Sequence, residues 1–309
     1  MYGSDCIKRA IVCNNASVPP PPPPPPKHYE AFRDVCTRPL ALLPLSSVTA
    51  HSTPLAGHRT KSTCKETQFF PEILELFKGN EEYMAEMANE NPGLLATLAT
   101  EGQKPPFMLV DCSDSRVNEQ GIFSAKPGTM FTAGNIANQF DEADLNSNAV
   151  LSFAVGTLKV KHVVVMGHYG CGGVAASMVT SSTASPADIA VNTWIQPIRQ
   201  IYLSSTRPEI AEHRRNNLLV AATTPDLHDP TFRALVEENV KANVQKIANS
   251  LIIRSHYASI VANSSSAGDI FIHGWVYDVE NGKVSDLDVS VGPPGRAVPP
   301  SPFPVLKTH

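Results

Sequence analysis

Cys112, His168 and Cys171 offer two thiols and one imidazole, a donor set that suits Zn²⁺ in both softness and geometry. A closed structural zinc site takes four such side chains, whereas a catalytic site takes three and leaves one position for water. Only three stand out in this chain. His168 and Cys171 flank a short turn in His168-Tyr169-Gly170-Cys171-Gly172-Gly173, and Cys112, in Cys112-Ser113-Asp114-Ser115-Arg116, must be brought to them by tertiary folding. Two thiolates cancel the formal charge of the metal, so its water is acidified less than at an all-imidazole site and needs help from the surroundings. Asp114 is spaced either to take the fourth position or to accept a hydrogen bond from the water. Arg116 is spaced to hold that carboxylate in a bidentate pair, off the metal. The glycines Gly170, Gly172 and Gly173 match no nucleotide-binding spacing, and close packing around the metal explains them better.

These residues need elements to hold them. Apolar runs at 107–110 and 163–166 end just before Cys112 and His168, which predicts two buried strands with ligands at their carboxyl ends, where open α/β sheets bind. Helical spacing of Ile73, Leu74, Leu76, Phe77, Tyr83, Met84 and Met87 predicts N-terminal helices broken at Gly79 and Pro92. Further helices are expected over 145–158, 186–203 and 230–248, and a strand over 129–133. A strand over 270–279 and a segment at 284–289, joined by Asn281-Gly282, read as a hairpin. The fold class is therefore α/β: a mostly parallel sheet flanked by helices, with an N-terminal helical arm and a C-terminal antiparallel edge strand.

Of 309 residues, 42% are hydrophobic and 17% charged, enough for a sizeable core. A net charge of -4 gives no broad basic field for nucleic acid, and no apolar run is long enough to span a membrane. Residues 1–65 differ: they hold an octaproline from Pro19 to Pro26, eight Lys or Arg against three Asp or Glu, and four of the six cysteines. They are expected to lack a packed fold, and they fit either a cytosolic tail or a mitochondrial presequence. The cysteine spacing suggests no disulfide framework, which favours a reducing compartment. Residues 66–292 form the zinc domain in this division, and 293–309 a proline-rich tail.

Cys-Ser-Asp-Ser-Arg followed by His-x-x-Cys-Gly-Gly resembles the signature of the β-class carbonic anhydrases. The resemblance spans roughly residues 70–292. It includes Gly102-Gln103-Lys104-Pro105-Pro106, Asn135-Ile136-Ala137-Asn138, Glu238-Asn239-Val240 and His273-Gly274-Trp275-Val276-Tyr277-Asp278. It implies one zinc per subunit on Cys112, His168 and Cys171, with Asp114 and Arg116 as a catalytic dyad that controls the fourth ligand. The implied activity is reversible hydration of CO2 to bicarbonate and a proton by a zinc-bound hydroxide. It also implies a substrate pocket with Gln103 as hydrogen-bond donor, Phe131, Ile136 and Phe153 as apolar wall and Gly173 beside them, in a homodimer or multiple of dimers. Two departures matter: Gly134 stands where relatives commonly carry arginine, and Leu109 where members with a regulatory bicarbonate pocket carry tryptophan. The same zinc chemistry also suits hydrolysis of carbonyl sulfide or carbon disulfide, and a zinc-stabilised interaction module without catalysis is the alternative from another class.

Overall fold

The computed structural model describes residues 69–179, 185–216, 224–262 and 268–306, so the proline-rich extension 1–65 lies outside the described residues. The chain divides into two compact units, Met1–Pro92 and Gly93–His309. In the first, helix α1 (Pro71–Glu90) starts on a proline and runs unbroken through Gly79. A helical glycine costs only about 1 kcal/mol relative to alanine, so the break expected there does not form. Ile73, Leu76, Phe77 and Met84 on this helix are exposed.

The second unit is built on a five-stranded sheet. In chain order it contains α2 (Leu94–Glu101), β1 (Phe107–Cys112), the short α3 (Glu119–Ile122), β2 (Met130–Asn135), α4 (Leu145–Phe153) and β3 (His162–His168). Then come α5 (Gly172–Met178), α6 (Pro186–Trp194), α7 (Gln196–Ser204), α8 (Pro208–Asn216), α9 (Pro230–Asn249), α10 (Leu251–Val261), β4 (Phe271–Asp278) and β5 (Lys283–Asp286). The strand order is β2-β1-β3-β4-β5, with β5 antiparallel to β4 and every other pairing parallel. Strand alternation sends Met108, Val110, Val163, Val165, Ile272 and Val276 to one face, against Leu235, Val240, Val244 and Ile247 of α9. Leu109, Val164 and Met166 point to the other face, with Phe107, Met130, Trp275 and Tyr277.

Two helices differ from expectation for local reasons. The segment expected to be one helix over 186–203 divides at the buried Ile195, because Pro197 has no amide hydrogen to continue the ladder and its ring crowds the preceding turn. Helices α8 and α10 have no counterpart among the expected elements: α8 is too polar to show an apolar stripe, while the apolar residues of α10 form only a short run. Helix α10 is started by the Ser250 side chain, which accepts a hydrogen bond from the Ile253 amide.

Helix α9 crosses the sheet closely. A methyl group on Gly167 would come 2.6 Å from Val240 Cγ2, and one on Gly274 would come 2.7 Å from Val289 Cγ2 and 3.1 Å from Val244 Cγ2. At the far edge the chain returns after β5, so that Val305 bridges Asp286 in parallel and Phe303 stacks 4.7 Å from the Trp275 ring. We expect Gly274→Ala to destabilise the fold by about 1–3 kcal/mol through overpacking. Urea denaturation should show a lower midpoint with an unchanged slope.

Candidate metal centre

β1 and β3 are neighbours in the sheet, so parallel pairing delivers Cys112 and His168 to the same end of adjacent strands. Cys171 follows a turn in which Gly170 takes φ +76°, a conformation glycine adopts without strain, and it precedes the first residue of α5. The Cys112 and Cys171 sulfurs are 3.9 Å apart, and the three donor atoms all lie within 4.8 Å of one another. His168 Nδ1 donates to the Tyr169 carbonyl at 3.0 Å, which leaves the Nε2 lone pair free. Nε2 is buried and has no hydrogen-bond partner. A buried imidazole nitrogen without a partner, facing two sulfurs, is the donor set of a tetrahedral Cys₂His zinc site with one position open. The residues fit the metal.

The electrostatics favour a cation. A hydrogen bond from Cys171 lowers the Cys112 thiol, and the same contact together with burial raises Cys171. Arg116 grips Asp114 through Nε at 2.8 Å and Nη2 at 2.7 Å, and Nη2 also donates to the Gly170 carbonyl at 2.9 Å. This pairing holds the Asp114 carboxyl down at about 2. Asp114 Oδ2 lies 3.7 Å from His168 Nε2, at the edge of the donor cluster.

The loop after β2 closes the site. Ala137 and Asn138 both adopt left-handed conformations, φ +63° and +46°, at a cost of roughly 1–2 kcal/mol each for residues with a side chain. Four side chains pin this loop. Asn135 bonds both the amide and the carbonyl of Gln139, Trp194 Nε1 donates to the Ile136 carbonyl, Asn239 Nδ2 to the Ala137 carbonyl, and Asn243 Oδ1 accepts from the Phe140 amide. The Ala137 amide is thereby turned onto Cys112 Sγ at 3.4 Å.

The substrate residues suggested by resemblance fall in two groups. The Phe131 and Phe153 rings lie tilted with centroids 5.8 Å apart, and Ile136, 40% exposed, packs against Gly173, where a methyl group would come 2.7 Å from its Cγ2. Gln103 is exposed on the loop before β1. The sequence reading missed the Tyr169 carbonyl and the Ala137 amide, because backbone groups carry no residue signature. It also passed over Tyr169, whose hydroxyl donates to buried Glu237 at 2.8 Å, in turn gripped by Arg207 at 2.6 Å. Leu109 is fully buried on the face opposite α9.

A further group, Asp111, was legible as an acid inside an apolar run. It is 3% exposed, sits opposite Gly134 in the β1–β2 register, and forms no ion pair among the described residues. A methyl group on Gly134 would find ordinary room 3.6 Å from Asp111 Oδ1, so the glycine places no side chain against this carboxyl. Burial, then the nearby Glu119, pushes the Asp111 carboxyl up to about 7. Because its folded value lies above the unfolded one, this group costs nothing below about pH 4 and progressively more as pH rises to about 7. Asp111→Asn should therefore stabilise the protein more at pH 8 than at pH 5, by at most about 3 kcal/mol. Thermal melts at the two pH values read the difference.

Comparison with known proteins agrees with this geometry. The carbonic anhydrase family model matches residues 107–284. A carbonic anhydrase of Emericella nidulans is 32% identical over 216 residues, covering 70% of this chain and 83% of that one, and one of Saccharomyces cerevisiae is 28% identical over 210 residues, covering 68% and 86%. Among solved structures, the β-carbonic anhydrase CafA of Aspergillus fumigatus is 32% identical with a TM-score of 0.56, covering 71% of this chain and 91% of that one. A tetrameric β-carbonic anhydrase of Sordaria macrospora is 26% identical with a TM-score of 0.57, covering 71% and 98%. A family model that spans more than half of the chain, and relatives that share its fold, establish that the chain belongs to the carbonic anhydrases, in their β class.

Proposed function

We propose that the protein catalyses the reversible hydration of CO2 to bicarbonate and a proton, at a zinc ion held by Cys112, His168 and Cys171. The observation that carries this reading is the buried, unpartnered His168 Nε2 beside two sulfurs, with the Asp114 carboxylate just outside the cluster. Zinc there supplies the Lewis acidity that makes water a nucleophile near neutral pH. The remaining work falls to the chain. Asp114, held as a carboxylate by Arg116, acts only as an acceptor, so it orients the attacking water and receives its hydrogen bond. Arg116, tied to the Gly170 carbonyl as well, keeps Asp114 from turning into the fourth ligand position. This is the open form of the site.

Phe131, Ile136 and Phe153 supply an apolar wall that favours a small uncharged molecule over water, Gly173 leaves room for Ile136, and Gln103 offers an amide hydrogen to a CO2 or bicarbonate oxygen. The exposure of Ile136 and Phe153 supports a homodimer or multiple of dimers that covers this wall, in keeping with the tetrameric Sordaria relative. Among the described residues no helix is long and apolar enough to cross a membrane. A cytoplasmic site of action, or a mitochondrial one after cleavage within residues 1–65, is our assignment, and mass spectrometry of the mature N-terminus decides between them.

Stopped-flow CO2 hydration on protein of measured zinc content tests the proposal. Cys171→Ser should lose zinc and nearly all activity, and Asp114→Ala should keep zinc and lose roughly 10²–10⁴-fold in rate. Full activity in both variants would overturn the assigned site, and faster sulfide release from carbonyl sulfide than CO2 hydration would overturn the substrate.

A further inference from the structure

Asn239 and Asn243 lie on α9, are fully buried and touch no donor atom of the cluster. Their hydrogen bonds form one chain. Asn243 Nδ2 donates to the Asn239 backbone and side-chain oxygens at 2.8 and 3.0 Å, which fixes the rotamer of Asn239 and turns its Nδ2 toward the loop. Nδ2 then donates to the Ala137 carbonyl at 2.9 Å, and the Ala137 amide, half of the same left-handed residue, donates to Cys112 Sγ. Ordinary packing does not explain a left-handed alanine held by the convergence of four side chains on one short loop. Strain of this kind persists only where the surroundings over-determine it, and it is commonly found at functional sites.

We propose that Asn239 is a positioning residue for the metal centre, acting through the Ala137 amide on the Cys112 sulfur. An N–H bond to a thiolate withdraws electron density from it, so the sulfur donates less to a bound metal and the metal keeps more of its Lewis acidity. That offsets the handicap of a two-thiolate site. Asn239 thus sets how strongly the site acidifies water from the far side of the loop, without contact to metal or substrate. The inference rests on a metal occupying the cluster.

Cobalt- and cadmium-loaded forms of the full chain test it. Metal uptake by the unaltered protein checks the underlying assignment independently. With an NMR-active cadmium isotope bound, the Ala137 amide proton should show scalar coupling to the metal through the Cys112 sulfur. Asn239→Leu, of similar volume, should abolish that coupling and move the thiolate-to-cobalt charge-transfer band to lower energy. It should also shift the rise of activity to higher pH, because the freed sulfur donates more and the metal acidifies water less. A loaded, unaltered protein without the coupling overturns the proposal whether or not the variant folds. So does a folded Asn239→Leu whose band and pH profile match the parent. A protein that binds no metal overturns the metal assignment instead.

Discussion

Two sulfurs 3.9 Å apart in a buried crevice cannot both carry full charge without a compensating cation. Much of the second unit serves to make that juxtaposition tolerable. Neighbouring parallel strands bring Cys112 and His168 to one end of the sheet, and the glycine turn folds Cys171 back onto them. The Tyr169 carbonyl fixes the tautomer of His168, so that its free nitrogen joins the sulfurs. Even the left-handed loop after β2 answers the same need, since its Ala137 amide points at a sulfur. The arrangement invites a soft divalent ion.

The sequence revealed the donors much better than their supports. Cysteines and a histidine at the ends of apolar runs announce both strands and the site, because side-chain type and burial period are written directly in the residues. The parallel order follows from alternating strands and helices. The division at Pro197 was also legible, but helical periodicity on both sides masked it. The polar helix α8 leaves little trace in periodicity, and the short apolar α10 is set off by its Ser250 cap. In the site itself, Asp114 and Arg116 stand next to a ligand and are easily noticed. The orienting groups are main-chain atoms of Tyr169 and Ala137, whose identity says nothing about their use.

Asp111 and Gly134 show how a residue gains physical meaning only with register. On the sheet the two positions face each other across β1 and β2, the glycine sets no side chain against the acid, and burial raises the Asp111 carboxyl well above the ordinary carboxylate range. The cost appears as a stability term that depends on pH, beside the donor cluster rather than within it. Asp114 shows the opposite case, a carboxyl kept charged by a bidentate guanidinium.

Gly167 and Gly274 carry no chemistry, yet the lack of a Cβ at these two places sets the height at which α9 rides above the sheet. Asn239 is a short side chain on that helix, and its amide meets the Ala137 carbonyl with no length to spare. Two missing methyl groups on β3 and β4 therefore act as spacers in a lever: they fix its fulcrum, and the far end of the lever rests on a sulfur atom.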